Sequence, residues 1–94
     1  MSVLWISHVT VTDDVEYAKY AKLATQAIAE HGGVFLARGG TYVQKEGVER
    51  PRNVVARFDS LEIAEKCYNS VTYQQALVHA RVASERELVL VEEL

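Results

Sequence analysis

The chain has 94 residues, with 10 Lys and Arg against 13 Asp and Glu, a net charge of −3 and 49% apolar residues. That suits one domain over residues 1–94 with a single core, and the acidic balance without a basic block excludes the phosphate-tracking surface of a nucleic-acid binder. One cysteine, Cys67, excludes an internal disulfide; with no basic leader and no long apolar run, a cytoplasmic protein away from membranes is expected.

The first element, VLWISHVTV from Val3 to Val11, is rich in β-branched and aromatic residues and predicts a strand. Its alternation puts Val3, Trp5, Ser7 and Val9 on one face, and Leu4, Ile6, His8 and Thr10 on the other. A helix follows: Asp13 and Glu16 form a capping box, and Gly32-Gly33 supplies a left-handed C-cap. Tyr17, Tyr20, Ala24, Ala27 and Ile28 make its apolar stripe. VFLARGGTYV is the second strand, with a bulge or a close backbone approach expected at Gly39-Gly40. The polar QKEGVERPR reads as a hairpin connection and NVVARFD as the third strand. DSLEIAEKCYNS is a second helix capped by Asp59 or Ser60, Thr72 with Gln75 opens a separate short helix, and ELVLVEEL is the fourth strand.

The order β-α-β-β-α-(α)-β is the ferredoxin-like pattern, an α+β fold in which helices cover one face of a four-stranded antiparallel sheet. A sheet whose other face met water would alternate, yet Leu88, Val89, Leu90 and Val91 are apolar on both faces, and strand one nearly so. The second face calls for a partner, and the simplest is the same face of a second copy, giving a homodimer through the sheet faces.

Three stretches carry a family resemblance: YAKYAKLATQAIAEHGGVFLARGG, RPRNVVARFDSLEIAEKCYNSVTYQQ and the terminal ELVLVEEL. Within them stand F-L-A-R-G-G and the set Phe58, Ser60, Glu62, Tyr68, Ser70 and Tyr73. On these the chain resembles the domain-of-unknown-function family 1330, of the dimeric α+β barrel superfamily, over essentially its whole length. The resemblance implies that fold, dimerisation, and a pocket between sheet and helices or in the barrel interior. It implies no settled reaction; wider relatives include cofactor-free monooxygenases, muconolactone isomerases and haem-handling enzymes. Arg57 departs from the family's pattern, in which an acidic or apolar residue is commoner, so a barrel-facing Arg57 must be paired.

The stretch HGGVFLARGG poses the main functional question, because an apolar strand ends there in Arg38. A buried guanidinium needs acceptors. Either Glu62, Glu65 or a partner-chain carboxylate supplies them, or Arg38 anchors the carboxylate or carbonyl of a ligand, with Gly39 and Gly40 leaving space beside it. Arg52, across the hairpin, can reach the same region or be a solvated hairpin arginine. Tyr68 and Tyr73, at a helix junction, can donate a proton or pack as core. His8 is the histidine best placed to act as acid or base if it lines a cavity, and otherwise is structural. His8, His31 and His79 form no metal set, and no phosphate loop, dinucleotide fingerprint or nucleophile elbow occurs. Two readings follow. One is a dimer that binds and transforms a small apolar or aromatic molecule without a tightly bound cofactor, monooxygenase- or isomerase-like, with His8, Tyr68 and Tyr73 catalytic and Arg38, Gly39, Gly40 and Arg52 binding. The other is a non-catalytic ligand-binding or accessory dimer.

Overall fold

In the computed structural model, which describes residues 1–94, β1 (Val3–Val11) takes the centre of the sheet. Its alternation is realised: Val3, Trp5, Ser7 and Val9 are buried under the helices, while His8 on the other face is exposed. Helix α1 (Asp14–Glu30) starts where the Asp13 carboxylate accepts the Glu16 N–H at 3.1 Å. It stops in a Schellman turn, in which Gly33 N–H reaches the Ile28 carbonyl and Gly32 N–H that of Ala29. Gly32 takes the left-handed φ of +73° that this turn demands.

Strand β2 (Val34–Arg38) is shorter than the sequence suggests, because the chain leaves the sheet at Gly39, with φ +69°. The bulge falls earlier than the glycine pair, at Leu36 between Phe35 and Ala37. Gly39 does make the expected close approach: a Cβ there would lie 3.0 Å from Arg52 Nη1. Strand β3 is Arg52–Phe58. Helix α2 (Leu61–Asn69) is capped by Ser60, whose hydroxyl accepts the Ile63 N–H. Helix α3 (Val71–Ala83) is capped by Ser70 rather than Thr72. Ser70 is extended, so it ends one helix and begins the next, which leaves Thr72 inside the first turn. Strand β4 runs Ser84–Glu92, starting before the expected Glu87.

The sheet order is β2-β3-β1-β4, antiparallel throughout, the ferredoxin-like arrangement. The core lies between the sheet and α1, α2 and α3. Trp5 is its hub, with Tyr73 edge-on at 5.0 Å and Phe58 at 5.5 Å, and alanines such as Ala27, Ala76 and Ala80 let the helices settle close. Cys67 is buried in the same core. The opposite sheet face carries Leu4, Ile6, Val55, Val89 and Val91, and no element of the chain covers it. Val89 is 54% exposed there. Arg57, which shares this face, is paired with Glu93 at 2.6 Å. No helix is long and apolar enough to cross a membrane.

Candidate functional site

The strand register gathers three arginines on the helix side. Val9 pairs with Arg52 on β3 and with Arg86 on β4, so the two arginines flank it with Cα atoms about 10 Å apart. One row along, Ser7 pairs with Val54, which pairs with Arg38 on β2. Ser7 is the one polar residue in the buried set. Helix α1 lays Tyr17 and Tyr20 over these rows: Arg52 stands 5.7 Å from the Tyr17 ring and Arg86 4.5 Å from that of Tyr20. Arg38 lies over Phe35 at 4.5 Å.

None of the three has a carboxylate within 4.0 Å; the ion pairs of the protein all lie elsewhere. The expected pairing of Arg38 with Glu62 or Glu65 is not made within the chain, and Glu62 is taken by Lys66. Arg52 Nε and Arg86 Nη1 are buried with no partner at all. Burial opposes the Arg86 charge, and the oxygens of Tyr20 and Tyr73 outweigh it. Arg86 Nη2 donates to the Tyr73 hydroxyl at 3.3 Å, and that hydroxyl meets Tyr20 Oη at 2.8 Å. Burial, with Tyr20 beside it, pushes the Tyr73 phenol far above the ordinary tyrosine range, so Tyr73 keeps its proton.

Two clefts open on this layer. The inner cleft, between α1 and the sheet, is lined by Trp5, Ser7, Tyr17, Phe35, Arg38 and Arg52 and has about 30 Å³ free, room for one water. The edge cleft, between α3 and β4, has about 420 Å³ and is lined by Tyr68, Tyr73, Leu77, Arg81, Arg86 and Leu88.

The predicted site residues thus fall into three places. Arg38 and Arg52 share the inner cleft, with Gly39 against Arg52, while Gly40 stands in open space. Tyr68 and Tyr73 share the edge cleft, ring centroids 5.2 Å apart. His8 is not with either group. It sits on the far sheet face beside Ile6, Glu87 and Val89, its Nδ1 2.6 Å from Asn53 Oδ1. Strand parity is the reason: Trp5 and Ser7 turn to the helices, so His8 turns away. His79 pairs with Glu16 at 2.9 Å, and no set of His, Cys, Asp and Glu comes together as metal ligands. Sequence reasoning missed Arg86. Extending the β4 alternation back from Leu90 and Leu88 would have put Arg86 on the helix side.

A family model matches residues 2–94. The chain belongs to the family described as domain of unknown function, DUF1330. This DUF1330 protein matches no curated protein. Among solved structures it is similar to a protein of unknown function from Rhodopseudomonas palustris, at 15% identity and TM-score 0.82, over 99% of this chain and 82% of that one. It is also similar to SnoaB, a cofactor-independent oxygenase from Streptomyces nogalater, at 14% identity and TM-score 0.71, over 99% and 93%. A third is a dimeric protein of unknown function with a ferredoxin-like fold from Bacteroides fragilis, at 16% identity and TM-score 0.65, over 98% and 96%. At these identities the likeness carries the fold of the DUF1330 chain, and its chemistry has to be argued from its own residues.

Proposed function

We propose that this protein binds a small apolar or aromatic organic anion between its helices and its sheet, as a homodimer joined through the open sheet faces. The observation that carries the reading is the pair Arg38 and Arg52, which line one cleft with no carboxylate near either. Arg52 has a buried Nε with no partner, Arg38 is exposed beside it at the end of β2, and a ligand carboxylate, or an oxyanion of like geometry, supplies acceptors to both through bidentate hydrogen bonds. Gly39 keeps the Arg52 head free to move toward the ligand, since a side chain there would press on Nη1; Gly40, in open space, leaves the entrance clear. The cleft itself has room for one water, so the apolar body lies outside it, against the half-buried ring of Phe35. Beside the cleft, β2 is a five-residue edge strand held on one side only.

Tyr68 and Tyr73 line the edge cleft and not the inner one, so Tyr68 is the proton donor only for a molecule transformed in the edge cleft, with Tyr73 holding its own proton beside it. SnoaB, a cofactor-independent oxygenase, supports that reading by likeness of fold. The homodimer rests on Leu4, Ile6, Val55, Val89 and Val91, an apolar face left bare in a chain with only 19 of 94 residues buried. The dimeric neighbour from Bacteroides fragilis supports it. His8 then lies in the joint between subunits, where it is the available acid or base for a ligand held there.

Native mass spectrometry of freshly purified protein tests the reading. The expected result is a dimer carrying a small-molecule mass, with the adduct lost and the dimer kept in Arg38→Met and Arg52→Met. A monomer, or an adduct retained by both variants, would overturn it.

A further inference from the structure

We propose that the edge cleft between α3 and β4 is a second binding site, built for the carboxylate of a small aromatic acid, with Arg86 as its anchor. At about 420 Å³ it lies within the range that holds small organic ligands. Its charged lining is cationic only: Arg86 inside, Arg81 at the exposed rim, and no carboxylate within 4.0 Å of either. The Arg86 guanidinium is fixed rather than floating. One face rests on the Tyr20 ring, Nη2 is committed to the Tyr73 hydroxyl, and Nη1 is buried with its hydrogen-bonding capacity unspent.

A donor held in that way is what a carboxylate oxygen completes. A neutral carbonyl would leave both cations uncompensated, whereas the two oxygens of a carboxylate match the fork of one guanidinium. The rest of the lining selects the ligand body. Tyr68, Leu77 and Leu88 form the apolar wall, with the buried Tyr73 ring packed behind Tyr68, centroids 5.2 Å apart, and Tyr68 is the aromatic face open to a ligand ring. The site is independent of Arg38 and Arg52. The two clefts share no lining residue, and the Tyr20–Tyr73 hydrogen bond runs between the helices that wall them.

The test is a titration of the full chain with salicylate, read by its fluorescence. In an Arg38→Met background, which removes the inner-cleft anchor, Arg86→Met should weaken binding about tenfold or more, as expected for a lost charged hydrogen bond. Leu88→Trp, which fills the cleft from a partly buried position and keeps the arginine, should give the same loss and decides the matter if Arg86→Met fails to fold. Crystals soaked in bromobenzoate should place bromine in the edge cleft with the carboxylate on Arg86. Wild-type affinity in Leu88→Trp, or bromine only beside Arg38, would overturn the proposal; the second outcome would leave the inner-cleft reading standing.

Discussion

The hydroxyls of Tyr20 and Tyr73 meet at 2.8 Å between α1 and α3, and both side chains are buried. Replacing either by Phe strands the other hydroxyl without its partner, at a cost of about 1–2 kcal/mol. Tyr73→Phe should cost more, because Arg86 loses an acceptor as well. The double variant should cost less than the two single changes together, since no hydroxyl is then left without its partner hydroxyl. Urea denaturation of the four proteins measures this, and strict additivity would contradict a shared bond.

Two adjacent glycines should respond differently to the same change. A Cβ at Gly33 would stand 2.6 Å from Ile28 Cγ2 and 2.8 Å from the Phe58 ring. Gly33→Ala is therefore an overpacking change, expected to cost about 1–3 kcal/mol and to move the α1–β3 contact. At Gly32 nothing stands within 4 Å, so Gly32→Ala meets only the left-handed backbone penalty of about 1 kcal/mol. Thermal melts rank the two, and equal costs would argue against the Phe58 clash.

Acid should weaken the tie between α1 and α3. His79, then Lys19, holds the Glu16 carboxyl below the usual glutamate range. A lowered folded-state value means the unfolded chain takes up the proton first, so the contribution is whole above the unfolded value of 4.5 and fades as pH falls through the folded one. The Tm difference between wild type and Glu16→Gln should be present at neutral pH and close in acid. A difference that stays constant would mean Glu16 acts through packing instead.

Burial pushes the Cys67 thiol up to about 11, with Glu30 adding to the effect. Iodoacetamide near pH 8 should therefore leave the native protein unlabelled and mark Cys67 only in step with unfolding. Native labelling at the rate of a free thiol would place Cys67 outside the core.

Under the homodimer proposal, Val89→Glu puts a charge on each joined face, beside Ile6. Sedimentation should then find a folded monomer where the wild type is a dimer. An unchanged dimer would move the interface to another surface.

The alternation in VLWISHVTV made the two faces of β1 legible, and the same rule turned His8 away from the arginines. The helix ends of α1 were equally plain, because Asp13 and Gly32 act within a few residues of the termini they control. Less legible was the start of β4. SER looks like loop, yet its pairing with Thr10, Val9 and Val11 makes it strand and brings in Arg86. The cap at Ser70 escaped for a related reason, since one residue serves two helices. The gathering of Arg38, Arg52 and Arg86 depends on the register among four strands, a non-local property that no window of sequence contains.

The central place of β1 has a consequence in time. Both of its neighbours come late in the chain: β3 begins at Arg52 and β4 at Ser84. Ser2 and Glu93, 91 positions apart, close against each other at 2.9 Å. Such distant pairings delay the reward for ordering the chain and slow folding. During synthesis β1 emerges first and waits for β3, and its other edge stays unpaired until β4 has cleared the ribosome. The earliest structure in the nascent protein is thus expected to be α1, whose caps are local, with the sheet completed only after translation of its last strand.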